Sequence, residues 1–163
     1  MAWSSPVHRR FNSYLKTVLL DLKGGVVAVT GDNGAGKSTI TSKALTWLLY
    51  GKTPPERMGS SSQSLKGKDV INDDAKEGRV KAILTRGPTT YEIERIKGQK
   101  GKDRVTVLAN GEKTNLGPEV VIGVDFDVFV RTVVRGQNDP WNFAEATDGE
   151  KRKIIDIVSG AAA

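Results

Sequence analysis

The segment Gly31-Asp32-Asn33-Gly34-Ala35-Gly36-Lys37-Ser38-Thr39 constrains this chain more than any other feature. It satisfies the pattern Gly-x-x-x-x-Gly-Lys-Ser/Thr, and its setting is the one that pattern needs. Ahead of it, Val26-Val27-Ala28-Val29-Thr30 is a short β-branched run of the kind found in buried strands. Behind it, Ser38 to Tyr50 places Ile40, Ala44, Leu45, Leu48 and Leu49 at helical spacing, and Gly51 with Pro54-Pro55 marks the end. Each residue type has a physical reason. Gly31, Gly34 and Gly36 allow positive φ, so that backbone N–H groups can turn inward around phosphates. The helix start adds unpaired N–H groups and a partial positive charge. Lys37 can reach the β- and γ-phosphates as a point charge, and the Ser38 hydroxyl is placed to ligate Mg²⁺. The reading is a site for a nucleoside triphosphate, built from Asn33, Gly34, Ala35, Gly36, Lys37, Ser38 and Thr39.

Composition removes several other chemistries. The chain has no cysteine and one histidine, His8, which excludes disulfides, thiolate zinc sites, a cysteine nucleophile and a His-rich metal cluster. No run approaches the roughly eighteen apolar residues of a membrane span, and the N-terminus lacks a signal-peptide layout. A cytoplasmic protein without a membrane partner is expected. The 163 residues suffice for one buried core, and the charge of +6 is compatible with nucleic acid without requiring it.

Val18 to Leu22 is a further largely apolar run. Beyond a low-complexity stretch from Gly59 to Lys68, the runs Val80 to Thr85, Thr90 to Ile96 and Arg104 to Leu108 show partial period-two alternation. Gly87-Pro88, the loop from Lys97 to Asp103, and Asn110-Gly111 supply the turn chemistry of an antiparallel meander. A second helix is predicted from about Asp148 to Val158, where Thr147 and Glu150 have capping-box spacing and Ile154, Ile157 and Val158 form one apolar face. The class is α/β or α+β.

The phosphate loop, with Ala44-Leu45-Thr46-Trp47-Leu48-Leu49-Tyr50-Gly51-Lys52-Thr53-Pro54 after it, resembles the ABC-type ATPase heads of SMC-like double-strand-break-repair ATPases. These include the SbcC-type exonuclease subunit and the large recombination-endonuclease subunit of tailed phages. Val70-Ile71-Asn72, Ala75 to Val80, Tyr91 to Arg95, Gly123 to Arg131, and Phe143 with Ala146-Thr147 before Lys151-Arg152 fit the same family in order along the chain. The resemblance implies that residues 1–163 are the N-terminal lobe of such a head, a mixed sheet around the phosphate-loop helix with an antiparallel flank. It implies ATP and Mg²⁺, with Gln137 as the Q-loop glutamine that contacts Mg²⁺ and the attacking water. The implied partners are a C-terminal lobe carrying signature and Walker B motifs, a second head in a homodimer, a nuclease subunit, and double-stranded DNA held without sequence preference. The parent protein would hydrolyse ATP, while this chain alone would bind it with little turnover.

Two features depart from the family. Asn12, in Arg10-Phe11-Asn12-Ser13-Tyr14, stands where members often carry an arginine that approaches the nucleotide. The signature, the Walker B pair and the switch histidine are not in this sequence. Val120-Val121-Ile122-Gly123-Val124-Asp125 has the shape of a Walker B strand, which keeps open a self-sufficient small NTPase with Asp125 on the Mg²⁺ shell, although Phe126 follows where a catalytic Glu would stand. A chromosome-organising SMC-type head is the other alternative. Lys97, Lys100, Lys102 and Arg104 crowd one hairpin loop, readable as a phosphate-contacting patch or as a solvated loop tip. Trp47 reads as core, and Trp141 beside Pro140 is left unplaced.

Overall fold

Alternation along the predicted meander builds the centre of the molecule. In the computed structural model, which describes residues 2–9, 11–22, 25–54, 67–101, 103–134 and 143–159, β3 (Glu77–Arg86) buries Gly78, Val80, Ala82 and Leu84 on one face. β4 (Thr89–Gly98) buries Ile93 and Arg95 on the same side, and β5 (Arg104–Ala109) buries Val107. The opposite face carries cross-strand ion pairs, Arg79 to Glu94 at 3.2 Å and Lys81 to Glu92 at 2.6 Å. One wet and one dry face is the ordinary economy of an antiparallel sheet.

The hairpin turns follow their residues. Gly87 (φ +58°) with Pro88 joins β3 to β4. Asn110 (φ +49°) and Gly111 (φ +87°) form a two-residue connection of primed type from β5 to β6 (Glu112–Lys113). The full order is β2-β1-β3-β4-β5-β6, with every pairing antiparallel. β1 (Ala2–Arg9) lies between β3 and the two-residue β2 (Val18–Leu19). The meander was legible in the sequence, but β1 was not. Its alternation is weak, and its register on β3 shifts between Ser4 and Val7.

The predicted first helix closes the dry face. Its first turns, Thr39–Lys43, are wound as a π-helix, and α1 (Ala44–Tyr50) continues it. Ala44, Trp47, Leu48 and Leu49 face Val80, Ala82, Leu84 and Ile93 in one apolar cluster. Trp47 is fully buried, with its ring 5.1 Å from that of Phe11. Gly51 ends α1 in the left-handed conformation (φ +73°).

Arg95 fastens the sheet to this helix. Its Nε donates to Leu48 O at 2.9 Å and its Nη2 to Leu49 O at 3.3 Å, while Nη1 reaches Asp103 at 3.3 Å. Burial lowers its pKa, and Asp103 opposes that shift.

Two further helices, α2 (Pro118–Ile122) and α3 (Phe126–Thr132), pack against the C-terminal end of α1. The Tyr50 hydroxyl donates to Val124 O at 2.9 Å, and its ring lies 5.4 Å from that of Phe129. α4 (Asp148–Ser159) begins at the predicted capping box: the Thr147 N–H donates to Glu150 Oε2 at 2.9 Å and its hydroxyl does so at 2.8 Å. The α/β class and the antiparallel flank hold, while the sheet around the phosphate-loop helix, expected to be mixed, is antiparallel throughout the described strands.

The expected buried strand Val26–Thr30 differs from its prediction. It is extended chain without strand pairing; Val26 is fully exposed and Val27 is 47% exposed. Of the apolar run Val18 to Leu22, only Val18–Leu19 forms a strand, β2. A β-branched run becomes a strand only beside a neighbour that accepts its hydrogen bonds. None of the six strands in this sheet lies beside Val26–Thr30. Between this segment and the α1–β3 core lies an apolar cavity of about 190 Å³, lined by Leu20, Val27, Val29, Ile40, Leu45 and Val80 among others.

Candidate functional site

The phosphate loop joins the unpaired segment to the first helix. Gly31 (φ +154°), Gly34 (φ +83°) and Gly36 (φ +81°) all take the positive φ expected of them. A Cβ on Gly34 would meet nothing within 4 Å, so glycine is needed there for backbone conformation and not for space. Gly36 is different, because a Cβ there would come within 3.1 Å of the Tyr14 ring.

The Lys37 ammonium bends back over the loop and donates to Gly31 O at 2.8 Å and Asp32 O at 2.7 Å. Ser38 stands at the start of the helix, is exposed, and makes no side-chain cap bond, so its hydroxyl is not committed to the backbone there. Asn33, Gly34 and Ala35 form the exposed turn, and the Ala35 N–H donates to Asp32 O at 3.2 Å. Thr39 is buried at 4% exposure, unlike the exposed Asn33, Gly34, Ala35 and Ser38.

This donor set fits a magnesium–nucleotide complex. Lys37 brings a positive charge held only by two neutral carbonyls, and charged phosphate oxygens are better acceptors than these. Ser38 brings an uncommitted hydroxyl of the hard-oxygen type that Mg²⁺ prefers. Gln137, Trp141 and Lys102 lie outside the described residues, as do Arg10 and Gly160.

Asn12 does not stand in for an arginine. It occupies a left-handed turn (φ +48°), a conformation asparagine tolerates. Its N–H donates to Val70 O at 2.8 Å, its carbonyl accepts from Asn72 Nδ2 at 2.6 Å, and its Oδ1 accepts from the Ser13 hydroxyl. It is a turn residue held by Val70 and Asn72.

Asp125 is not a Walker B carboxylate. Val120 to Ile122 belong to helix α2, with no strand before the aspartate. Asp125 is the N-cap of α3, where its Oδ1 accepts from the Val128 N–H at 2.9 Å and its Oδ2 meets Lys153 Nζ at 2.8 Å. Burial pushes its carboxyl upward, but the bonds from Lys153 and the Val128 N–H outweigh this and hold it below the usual carboxylate range. Apolar residues followed by Asp read equally well as a helix end and the next helix's cap, so the pattern alone does not specify a strand.

In the basic hairpin loop, Lys97 is committed to local partners. Its Nζ donates to Gly101 O at 2.7 Å and pairs with Asp103 at 3.3 Å. Arg104 lies 3.9 Å from Glu77. Trp47 is core, as expected. Two contributors carried no sequence signal: Tyr14 at the loop and Arg95 under the helix, because each acts on residues more than twenty positions away in the chain.

A phosphate loop at the start of a helix, with that helix cradled by an antiparallel sheet, defines a nucleotide-binding lobe of the P-loop ATPase class. Residues 9–158 match the AAA domain family designated AAA_23, and the chain belongs to it. It is 30% identical to the SbcC component of the nuclease SbcCD of Rhodobacter capsulatus over 83% of this chain and 13% of that protein. It is 28% identical to Arcadin-4 of Pyrobaculum calidifontis over 92% of this chain and 20% of the relative. It is 28% identical to a DNA double-strand break repair Rad50 ATPase of Methanopyrus kandleri, over 88% of this chain and 17% of the relative. The chain thus spans a fifth or less of each of these proteins. Its fold matches a solved chain from work on ATP-driven dimerization and DNA-stimulated activation of SMC ATPases, with TM-score 0.64 and 20% identity, covering 97% of this chain and 99% of that one. The SMC-like, SbcC-type resemblance drawn from the sequence is borne out. Among the described residues, no helix is long and apolar enough to cross a membrane.

Proposed function

We propose that residues 1–163 form the ATP-binding N-terminal lobe of an SMC-like DNA repair and recombination ATPase, whose paired heads drive DNA end processing with a nuclease subunit. One observation carries the reading. The phosphate loop hangs from Val26–Thr30, an apolar run that is exposed and unpaired among the described residues, beside an apolar cavity. A site-bearing apolar segment in that condition calls for a second lobe to supply strand neighbours. The similarity to SbcC and Rad50 proteins over a small part of their length supports the same view.

In this reading the backbone from Asn33 to Thr39 surrounds the phosphates, and Lys37 exchanges Gly31 O and Asp32 O for phosphate oxygens. Ser38 and, on the resemblance, Gln137 would hold Mg²⁺, which neutralises charge on the β- and γ-phosphate oxygens. The C-terminal lobe would supply the signature and Walker B residues, a second head would complete the site, and double-stranded DNA would lie across the pair. A cytoplasmic location fits this role.

Equilibrium binding of Mg-ATP tests the reading. Lys37→Ala should lower affinity by about tenfold or more, since a charge-assisted contact contributes roughly 1.5–3 kcal/mol. The chain alone should show little steady-state hydrolysis until the C-terminal lobe is added. Ordinary turnover by the chain alone, lost in Lys37→Ala, would overturn the half-head assignment. Co-purification of the full-length protein with a kleisin-like bridging protein in place of a metallophosphatase-type nuclease would move it to chromosome organisation.

A further inference from the structure

A phosphate loop that turns its N–H groups inward must turn carbonyls outward, and those need donors of their own. One donor is Tyr14. Its hydroxyl lies 3.2 Å from Gly36 O, which also accepts from the Ile40 N–H at 3.2 Å, and 3.3 Å from Ala35 O, so a single proton is shared between consecutive carbonyls of the loop. The ring also closes on Gly36, where a Cβ would come within 3.1 Å of it. Tyr14 is itself held from below. Its N–H donates to Phe11 O at 3.0 Å, and the turn it closes is tied to the far loop by Asn12 N to Val70 O at 2.8 Å and Asn72 Nδ2 to Asn12 O at 2.6 Å. Phe11, next to that turn, is fully buried against Trp47 of α1. The tyrosine is thus a strut from the core to a largely exposed loop.

We propose that Tyr14 is a positioning residue for phosphate binding, its hydroxyl fixing the Ala35 and Gly36 carbonyls so that the loop is already shaped for a polyphosphate. This rests on the nucleotide-binding reading above, and it concerns the phosphates and not the base. Pre-shaping of a loop raises affinity by removing ordering cost at the moment of binding.

The test is Tyr14→Phe in the full-length protein, which keeps the ring on Gly36 and removes the shared proton. Affinities for Mg-ATP and for inorganic tripolyphosphate are measured alongside thermal melting of the nucleotide-free protein. Both affinities should fall by about threefold to tenfold, the usual range for one neutral hydrogen bond, with melting nearly unchanged. Two results would overturn the proposal: unchanged affinity for both ligands, or weaker ATP binding with tripolyphosphate unaffected, which would make Tyr14 a contact for the base. Lys37→Ala serves as the reference. If it leaves ATP binding intact, the nucleotide reading fails and this proposal with it; if it abolishes binding while Tyr14→Phe changes nothing, only the role of Tyr14 fails.

Discussion

The strands β3 to β5 and the run Val26–Thr30 are both rich in β-branched residues yet have opposite fates. Val80, Leu84 and Ile93 are fully buried, while Val26, in an equally β-branched run, is fully exposed. The first group has neighbours on both sides of each strand and a helix above. The second has α1 at one end, a cavity beside it, and no strand to pair with among the described residues. The contrast shows that an apolar run is buried here only where strand neighbours accept it; on the proposed reading, the segment that carries the phosphate loop would find such neighbours in a second lobe.

Substitutions can break or sharpen that contrast. The largest effect is expected at Trp47, where Trp47→Ala empties the space between Phe11 and Arg95. It should cost about 3–5 kcal/mol in equilibrium urea unfolding, against less than about 0.5 kcal/mol for Val26→Ala in the same chain. A loss at Val26 as large as that at Trp47 would mean that Val26–Thr30 is packed after all. Addition of a C-terminal lobe should make the Val26 substitution costly.

Next comes Arg95→Met. It leaves Leu48 O and Leu49 O without their guanidinium donor and Asp103 with Lys97 as its remaining cation, at an expected cost of about 2–3 kcal/mol. Chemical unfolding reads this directly, and a neutral result would mean that α1 is held by apolar packing alone.

Two glycines then separate scaffold from site. Gly51→Ala meets both a left-handed backbone and the Arg95 Nη1 at 3.1 Å, and should lower stability by about 1–2 kcal/mol. Gly34→Ala meets the same kind of backbone strain in open space. Its effect should appear chiefly in ATP affinity. Equal effects of the two on melting would erase the distinction between the regions.

The smallest effect concerns pH. Because the folded-state pKa of Asp125 is depressed, its cap on α3 and its pair with Lys153 stabilise the fold above the ordinary carboxylate range. That contribution is lost as pH falls through the lowered pKa. Asp125→Asn should therefore flatten the acid side of the stability profile while leaving Mg-ATP binding unchanged. Loss of Mg²⁺-dependent binding instead would restore Asp125 as a metal ligand.

Features read correctly from sequence share one property, which is short range. The phosphate loop, the Asn110-Gly111 hairpin, the Gly51 stop and the Thr147–Glu150 capping box each depend on residues within a few positions of one another. The meander was legible because its strands are consecutive and its alternation is set by a single dry face. β1 was missed because its pairing with β3 joins residues about seventy positions apart.

The sequence by itself therefore determined the phosphate loop and its helix, the antiparallel flank, and the family likeness, since local conformational preference and period-two patterning are written residue by residue. Only the tertiary structure decided the rest. It made Asp125 a helix cap and not a metal ligand, committed Lys97 to Asp103, left Val26–Thr30 without a strand neighbour, and brought Tyr14 to the loop carbonyls and Arg95 to the end of α1. The physical reason is that a hydrogen bond or ion pair between distant positions depends on how the chain returns upon itself, and no local pattern records that return.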